Sequence, residues 1–230
     1  MSRIRSICSG RMPVFAELPQ AQVELGRACE EGGADALIAP ILSEFTANLD
    51  FEISMIKDLV SSVSIPIGLY VGVPFKEVEW EAILSTGIDF IASFPNRLPP
   101  FAAFDNRIDK VIYVPSGLSI EVYRTLSSVE GVICLVYVPN SQLKADKPFN
   151  MLDVLNLNII SKYSFKPVLF KVAYDVRVED LPLLVKWGCS GLLLDPSGTG
   201  SDPSHYKRFI EEFKRAVKSR EGPPYLPSWG

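Results

Sequence analysis

The chain has 230 residues, of which 47% are hydrophobic and 22% are charged, and its formal net charge is −4 at pH 7. This length is enough for one large hydrophobic core, and the acidic balance lacks the basic face that a nucleic-acid backbone requires. No apolar stretch approaches the roughly 18 residues of a membrane-spanning helix. The polar N-terminal segment is unlike a signal peptide, so we expect a cytoplasmic protein without a nucleic-acid or membrane partner.

Eight short apolar runs predict β-strands, and amphipathic segments between them predict helices. The runs are mostly continuous rather than alternating in polarity, which is typical of strands buried on both faces. The predicted strands are residues 13–18, 35–40, 66–71, 89–94, 110–115, 132–138, 167–174 and 190–195. The predicted helices lie within residues 20–33, 48–63, 75–87, 119–131, 150–164, 177–188 and 202–219.

The connection between strands four and five differs from the others. Its sequence, "PNRLPPFAAFDNRID" (95–109), contains three prolines, so we expect an irregular loop or one short helix there. Eight strands with helix-sized crossovers predict an α/β fold, a single-domain (β/α)8 TIM barrel over residues 1–220. The main alternative, a doubly wound open sheet, would show GxGxxG after the first strand, where the chain reads "FAELPQAQ". Residues 221–230 form a Pro-rich tail that cannot be helical.

Charged residues within or just after the strands are few. They are Glu17 in strand one, Lys171 in strand seven and Asp195 at the end of strand eight. These strands are neighbours in a closed barrel, whose active site lies at the C-terminal strand ends, so we predict that the three groups meet there as catalytic residues. They would transfer protons, or Lys171 would bind an anionic substrate. The alternatives are a structural ion pair, or a Schiff-base lysine, which would need a lowered pKa.

The loop after strand eight, "GLLLDPSGTGSDP", is the candidate phosphate site. Barrels often bind phosphate in the loops after strands seven and eight, beside a helix N-terminus. The opposing interpretation is a plain strand-to-helix turn, because Asp202 before Pro203 has the character of an N-cap and would fill the helix end itself. The candidate phosphate-binding residues are Gly198, Thr199, Gly200 and Ser201.

Four tyrosines near strand C-termini are candidates to line the pocket. If they face inward, they would suit a planar ligand such as a flavin, although tyrosine is also common in strands for packing reasons. They are Tyr70, Tyr113, Tyr137 and Tyr174. His205 is the single histidine, and the four cysteines are scattered without a CxxC pair. We therefore predict no metal site and expect reduced, mostly buried thiols.

Three segments resemble the helix-to-strand joints of the phosphate-binding TIM barrels, which include indole-3-glycerol-phosphate synthase, pathway isomerases and sugar-phosphate epimerases. They are "ACEEGGADALIAP", "LVSSVSIPIGLY" and "LVKWGCSGLLLDPSGTG". The resemblance implies a small phosphorylated ligand near strands seven and eight. Glu17 is similar in place to the synthase's first-strand glutamate. The chain departs from the synthase in having no lysine on strand three and no glycines in "YDVRVED" after strand seven.

A second, shorter resemblance concerns the segment "KPVLFKVAYDVRVEDL". It is similar to the strand of dihydroorotate-dehydrogenase-like flavin barrels that carries an FMN-contacting lysine, and Lys171 would match that lysine. The leading hypothesis is a lyase or isomerase acting on a phosphorylated metabolite. The others are an FMN-dependent oxidoreductase and a catalytically silent barrel for ligand binding or assembly. The exposed-looking loop "PNRLPPFAAF" is compatible with a homo-oligomer.

Overall fold

A computed structural model describes residues 3–10, 12–41, 49–72, 75–139, 149–172, 176–199 and 202–219. Eight strands, all parallel, close into a barrel in sequential order, which confirms the predicted fold. Each strand lies within two residues of its predicted bounds. The strands are β1 (Val14–Glu17), β2 (Ala36–Ile41), β3 (Ile67–Val71), β4 (Phe90–Ser93), β5 (Asp109–Pro115), β6 (Val132–Val138), β7 (Val168–Val172) and β8 (Gly191–Leu194).

Helices on the outside of the barrel connect the strands. The fourth crossover contains only a four-residue helix, as its prolines predict. Two 3₁₀ turns, Val178–Asp180 and Pro196–Thr199, follow β7 and β8. The helices are α1 (Arg3–Cys8), α2 (Val23–Glu31), α3 (Leu49–Ser62), α4 (Glu77–Leu84), α5 (Pro100–Ala103), α6 (Ile120–Ser128), α7 (Met151–Tyr163), α8 (Leu181–Lys186) and α9 (Pro203–Lys218).

Alternate strand residues point into the barrel or outward to the helices, because side chains alternate across a strand. Phe15 and Phe90 fill the interior, with ring centroids 6.0 Å apart. A Cβ on Gly68 would lie 2.1 Å from the Phe90 ring, so the interior has room for that ring only beside a glycine. The outward residues form a second, larger apolar layer beneath the helices.

Helix α1 was not predicted from the sequence. It covers the N-terminal end of the barrel, where Ile4 and Cys8 are buried in the interior cluster. Arg5 donates three hydrogen bonds to Asp109 at the start of β5, with Nε–Oδ1 at 2.9 Å, Nε–Oδ2 at 3.0 Å and Nη2–Oδ1 at 2.5 Å. A six-residue segment with only one pair of apolar residues at helical spacing has too weak a hydrophobic pattern to predict a helix. Its helicity depends on the packing of those residues against the barrel.

The structure also bears on the predictions for the cysteines, for membrane-spanning helices and for the apolar loop after β4. All four cysteines are free and buried, as predicted. Within the described ranges, no helix is both long enough and apolar enough to span a membrane. The tail 221–230 lies outside the described residues. In the predicted oligomer loop, Phe101 packs edge-on against Phe75, while Phe104 is exposed.

Candidate active site

The charged residues predicted from the strand ends meet at the C-terminal mouth of the barrel. The Nζ of Lys171 forms an ion pair with Oε2 of Glu17 and lies 3.5 Å from Oδ2 of Asp195. The exposed fractions of these side chains are 15%, 14% and 23%, so the cluster is largely shielded but still reached by solvent. Closure of the barrel between β8 and β1 brings together residues that are 154 positions or more apart in the chain.

The protonation of this cluster follows from burial and pairing. Burial alone lowers the pKa of Lys171, but the carboxylates of Glu17 and Asp195 outweigh it and raise that pKa. The amine therefore stays protonated, which is the opposite of what a Schiff-base lysine needs. Burial raises the pKa of Glu17 despite the opposing effect of Lys171, and Asp195 adds to the rise. A carboxyl with a raised pKa exchanges its proton closer to neutral pH, as a general acid or base requires.

Two of the four candidate tyrosines line the interior of the mouth. Tyr70 and Tyr113 are stacked, with ring centroids 5.3 Å apart and an interplanar angle of 22°. Phe94 meets the Tyr113 ring edge-on at 5.4 Å. Tyr113 is buried, and burial raises the pKa of its phenol well above the usual range. Its hydroxyl makes no hydrogen bond of regular geometry among the described residues, yet lies close enough to Glu17 to lower the pKa of that carboxyl.

The prediction that Tyr137 lines the pocket is wrong. Its ring lies in the outer layer, edge-on to Phe170 at 5.8 Å, and its hydroxyl donates to Oδ1 of Asp153 on α7 at 3.3 Å. Its position in β6 has the opposite parity to the inward residues Cys134 and Val136, and a one-residue difference turns a side chain to the other face. Tyr174 lies outside the described residues.

The candidate phosphate loop is described in part. Gly198 is exposed in the 3₁₀ turn that follows β8, and the backbone of Thr199 ends that turn. Gly200 and Ser201 lie outside the described residues, and the side chain of Thr199 is not described. Asp202 is the N-cap of α9, because its carboxylate accepts hydrogen bonds from the Ser204 N–H (3.1 Å) and hydroxyl (2.6 Å).

His205 lies half-buried in the first turn of α9, outside the charged cluster. In the part of the chain that the structure describes, no group of three or more His, Cys, Asp or Glu residues is arranged to hold a metal ion.

One mouth residue was missed from the sequence. Arg97 is exposed on the loop after β4, and its charge lowers the pKa of Tyr70, against the rise caused by burial and by Glu17. The sequence signal for Arg97 is its position just after the predicted strand 89–94, in a loop at the active-site face of a barrel.

Comparison with known proteins establishes the fold. No protein-family model matches the chain, and no curated protein matches its sequence. Thiamine phosphate pyrophosphorylase from Pyrococcus furiosus is similar in structure, with 16% identity, a TM-score of 0.67, and coverage of 95% of this chain and 100% of that chain. The tryptophan synthase alpha chain from Legionella pneumophila has 13% identity and a TM-score of 0.69, covering 96% and 99%.

A third similar structure is N-(5'-phosphoribosyl)anthranilate isomerase from Pyrococcus furiosus, with 18% identity, a TM-score of 0.62 and coverage of 90% and 99%. At these identities the likeness shows a shared TIM-barrel fold.

Proposed function

We propose that the protein is a lyase or isomerase that moves a proton on a small phosphorylated metabolite. The observation that carries this proposal is the shielded ion-pair cluster of Lys171, Glu17 and Asp195 at the C-terminal mouth. At this end of a TIM barrel, the strand ends supply the catalytic groups. Charged residues of both signs there are therefore more consistent with a catalytic role than with a purely structural one.

The three residues take different roles in this proposal. Glu17, with its raised pKa, removes a proton from a substrate carbon and returns it to another atom. The Lys171 ammonium stabilises the negative charge that develops on a neighbouring substrate oxygen. Asp195 holds the ammonium in place and keeps it protonated. The hydroxyl of Tyr113, buried beside Glu17, is available to donate a hydrogen bond to the substrate or to that carboxylate.

The phosphate is assigned to the loop after β8. Its backbone N–H groups at Gly198, Thr199, Gly200 and Ser201 would hold the anion. Two of the similar structures, thiamine phosphate pyrophosphorylase and N-(5'-phosphoribosyl)anthranilate isomerase, have names that include a phosphorylated compound, which supports this choice. The N-terminus of α9 contributes less, because the Asp202 carboxylate already accepts hydrogen bonds there.

FMN is the alternative ligand, and the site favours it less. Tyr70 is half-buried and would offer a ring face to the flavin. Lys171, however, is already paired with two carboxylates rather than open to a flavin.

A thermal-shift titration of the purified protein tests the phosphate assignment. The ligands are inorganic phosphate, glycerol phosphate, a pentose phosphate and FMN. Ligand binding to the native state raises the Tm by mass action. We expect the phosphates to raise the Tm of the wild type but not of Gly198→Asp, which places a carboxylate in the loop.

Thr125→Asp is the matched control, since it adds the same charge on the exposed face of α6. It should respond like the wild type. Unchanged Tm values at millimolar phosphate would remove the phosphorylated substrate from the proposal and favour a silent barrel. A shift with FMN alone, accompanied by yellow colour, would favour the oxidoreductase.

A further inference from the structure

The loop after β4 holds Arg97 in a constrained position. On one side, the Phe94 ring packs edge-on against Tyr113, and on the other, Leu98 packs against the outer core. The Arg97 N–H donates to the Phe94 carbonyl at 3.0 Å, which closes the turn. Flanking prolines at 95, 99 and 100 restrict the backbone further. Arg97 is therefore presented to solvent by a loop with few accessible conformations.

Arg97 differs in its partners from Arg5 and Arg107. Arg5 is bound by Asp109, and Arg107 is bound by Asp105 and Glu81. Among the described residues, no carboxylate forms an ion pair with Arg97. A guanidinium with a planar fork of donors and no protein carboxylate to bind is suited to a carboxylate or phosphate from a ligand.

The two sides of the mouth differ in charge. Glu17, Lys171 and Asp195 come from β1, β7 and β8, and they contain two carboxylates for one ammonium. Arg97 follows β4, on the opposite side of an eight-stranded barrel. Tyr70 lies on β3, between β1 and β4 in the strand order, and the charges of Glu17, Lys171 and Arg97 all affect its pKa. An anionic group placed directly against the carboxylates of Glu17 and Asp195 is therefore repelled, whereas an anionic group beside Arg97 is attracted.

We infer that Arg97 binds an oxyanion group of the substrate, a carboxylate or a phosphate, on the β4 side of the mouth, with Tyr70 between that group and the reacting atoms. This inference rests on the proposed function for the position of the reacting atoms at Glu17 and Lys171. It adds a substrate class: a small molecule with an anionic group besides the phosphate assigned to the loop after β8. Arg97 determines substrate specificity in this proposal, because it favours molecules that carry the second anionic group.

Isothermal titration with three probes tests the inference. The probes are glycerol phosphate, with one anionic group, phosphoglycerate, with an added carboxylate, and a sugar bisphosphate, with an added phosphate. We expect the wild type to prefer one of the two doubly anionic probes. Arg97→Gln should weaken that probe about tenfold, the effect of losing hydrogen bonds to a charged group. Which probe is affected distinguishes carboxylate from phosphate.

Three variants make the result specific. Arg97→Gln should leave the affinity for glycerol phosphate unchanged, and Arg97→Lys should restore part of the lost preference. Arg124→Gln is the control, since Arg124 lies on the exposed face of α6, 5.6 Å from the Phe165 ring centroid. It should bind all three probes like the wild type.

Two outcomes separate failure of this inference from failure of the proposed function. If Arg97→Gln binds all three probes like the wild type while Gly198→Asp loses them, the inference is overturned and the phosphate loop stands. If no probe binds the wild type, both are overturned. Loss of the doubly anionic probe in Arg97→Gln but not in Gly198→Asp supports Arg97 and removes the phosphate assignment after β8.

Discussion

Two lysines on the strands of this barrel show how position decides what a buried charge does. Lys110 lies at the N-terminal end of β5 with 1% of its surface exposed, and its Nζ donates to the backbone carbonyl of Asp105. Burial lowers its pKa, despite nearby carboxylates. Lys171 lies at the opposite end of β7, pairs directly with Glu17 and Asp195, and has a raised pKa.

The difference lies in what surrounds each ammonium. Lys110 is enclosed at the N-terminal end of the barrel beside the loops of Asp105 and Gly131, so its burial costs free energy that a carbonyl offsets only in part. Lys171 is placed where the barrel is open and where its charge is held by two carboxylates. An ammonium held by ion pairs beside a carboxyl group of raised pKa can take part in a reaction, whereas an enclosed ammonium is not accessible to a substrate.

Replacing each lysine with methionine tests this contrast and should have the largest effect. Lys171→Met leaves Glu17 and Asp195 facing each other, so we expect the free energy of unfolding to fall by about 3 kcal/mol at pH 8. Turnover of an identified substrate should fall on the order of 10²–10⁴-fold. Lys110→Met should cost about 1 kcal/mol or less, because the loss of one hydrogen bond is offset by relief of desolvation, and turnover should not change.

Urea unfolding of both variants at pH 8 and pH 5 is the measurement. At pH 5 the Lys171→Met loss should shrink, because Glu17 then takes up a proton and the repulsion disappears. Equal losses for the two variants at both pH values would mean that the Lys171 cluster is only a structural ion pair.

The capping helix offers the next largest effect. Ile4 is fully buried at the N-terminal end, so Ile4→Ala should lower the free energy of unfolding by about 2–3 kcal/mol through lost burial and a cavity. Ligand affinity at the mouth should not change, because α1 covers the other end.

Ile159→Ala on α7 is the control, since that side chain is 41% exposed and its loss should cost about 0.5 kcal/mol or less. If Ile4→Ala costs no more than Ile159→Ala, the capping helix contributes little to the stability of the barrel.

The smallest effect concerns the pH dependence of stability. The pKa of Glu17 in the folded protein is raised above 4.5, so its contribution to stability is present below pH 4.5 and is lost as the pH rises through the folded pKa. In Glu17→Gln this loss should be absent. Unfolding followed by urea between pH 4 and pH 8 measures the difference between the two curves.

Glu81 provides a control of opposite sign. Its pKa is lowered by its hydrogen bonds to Arg107, so its contribution is present above pH 4.5 and is lost as the pH falls. Glu81→Gln should change the curve only slightly, because the pair is exposed and screened by solvent. A Glu17→Gln curve that parallels the wild type throughout would contradict the raised pKa of Glu17.

The mouth cluster was predictable in part from the sequence. Glu17, Lys171 and Asp195 stand out as charges on otherwise apolar strands, and barrel closure brings the ends of β7, β8 and β1 together. The tyrosines were harder, since Tyr70 and Tyr113 face inward while Tyr137 faces outward. Whether a strand position faces inward or outward depends on the register of that strand in the barrel. Continuous apolar runs do not reveal this register.

The sequence by itself determined the order of the elements and the barrel, because buried parallel strands and amphipathic helices leave distinct hydrophobic patterns. Only the tertiary structure decided which side chains meet. The helicity of α1 depends on Ile4 and Cys8 packing into the barrel end. The position of Arg97 depends on a loop in which Phe94 packs against Tyr113 from another strand. These contacts join segments that are distant in the chain, so the local sequence does not predict them. Which face of the sheet a side chain lies on, and which charge it pairs with, is decided only when the barrel closes.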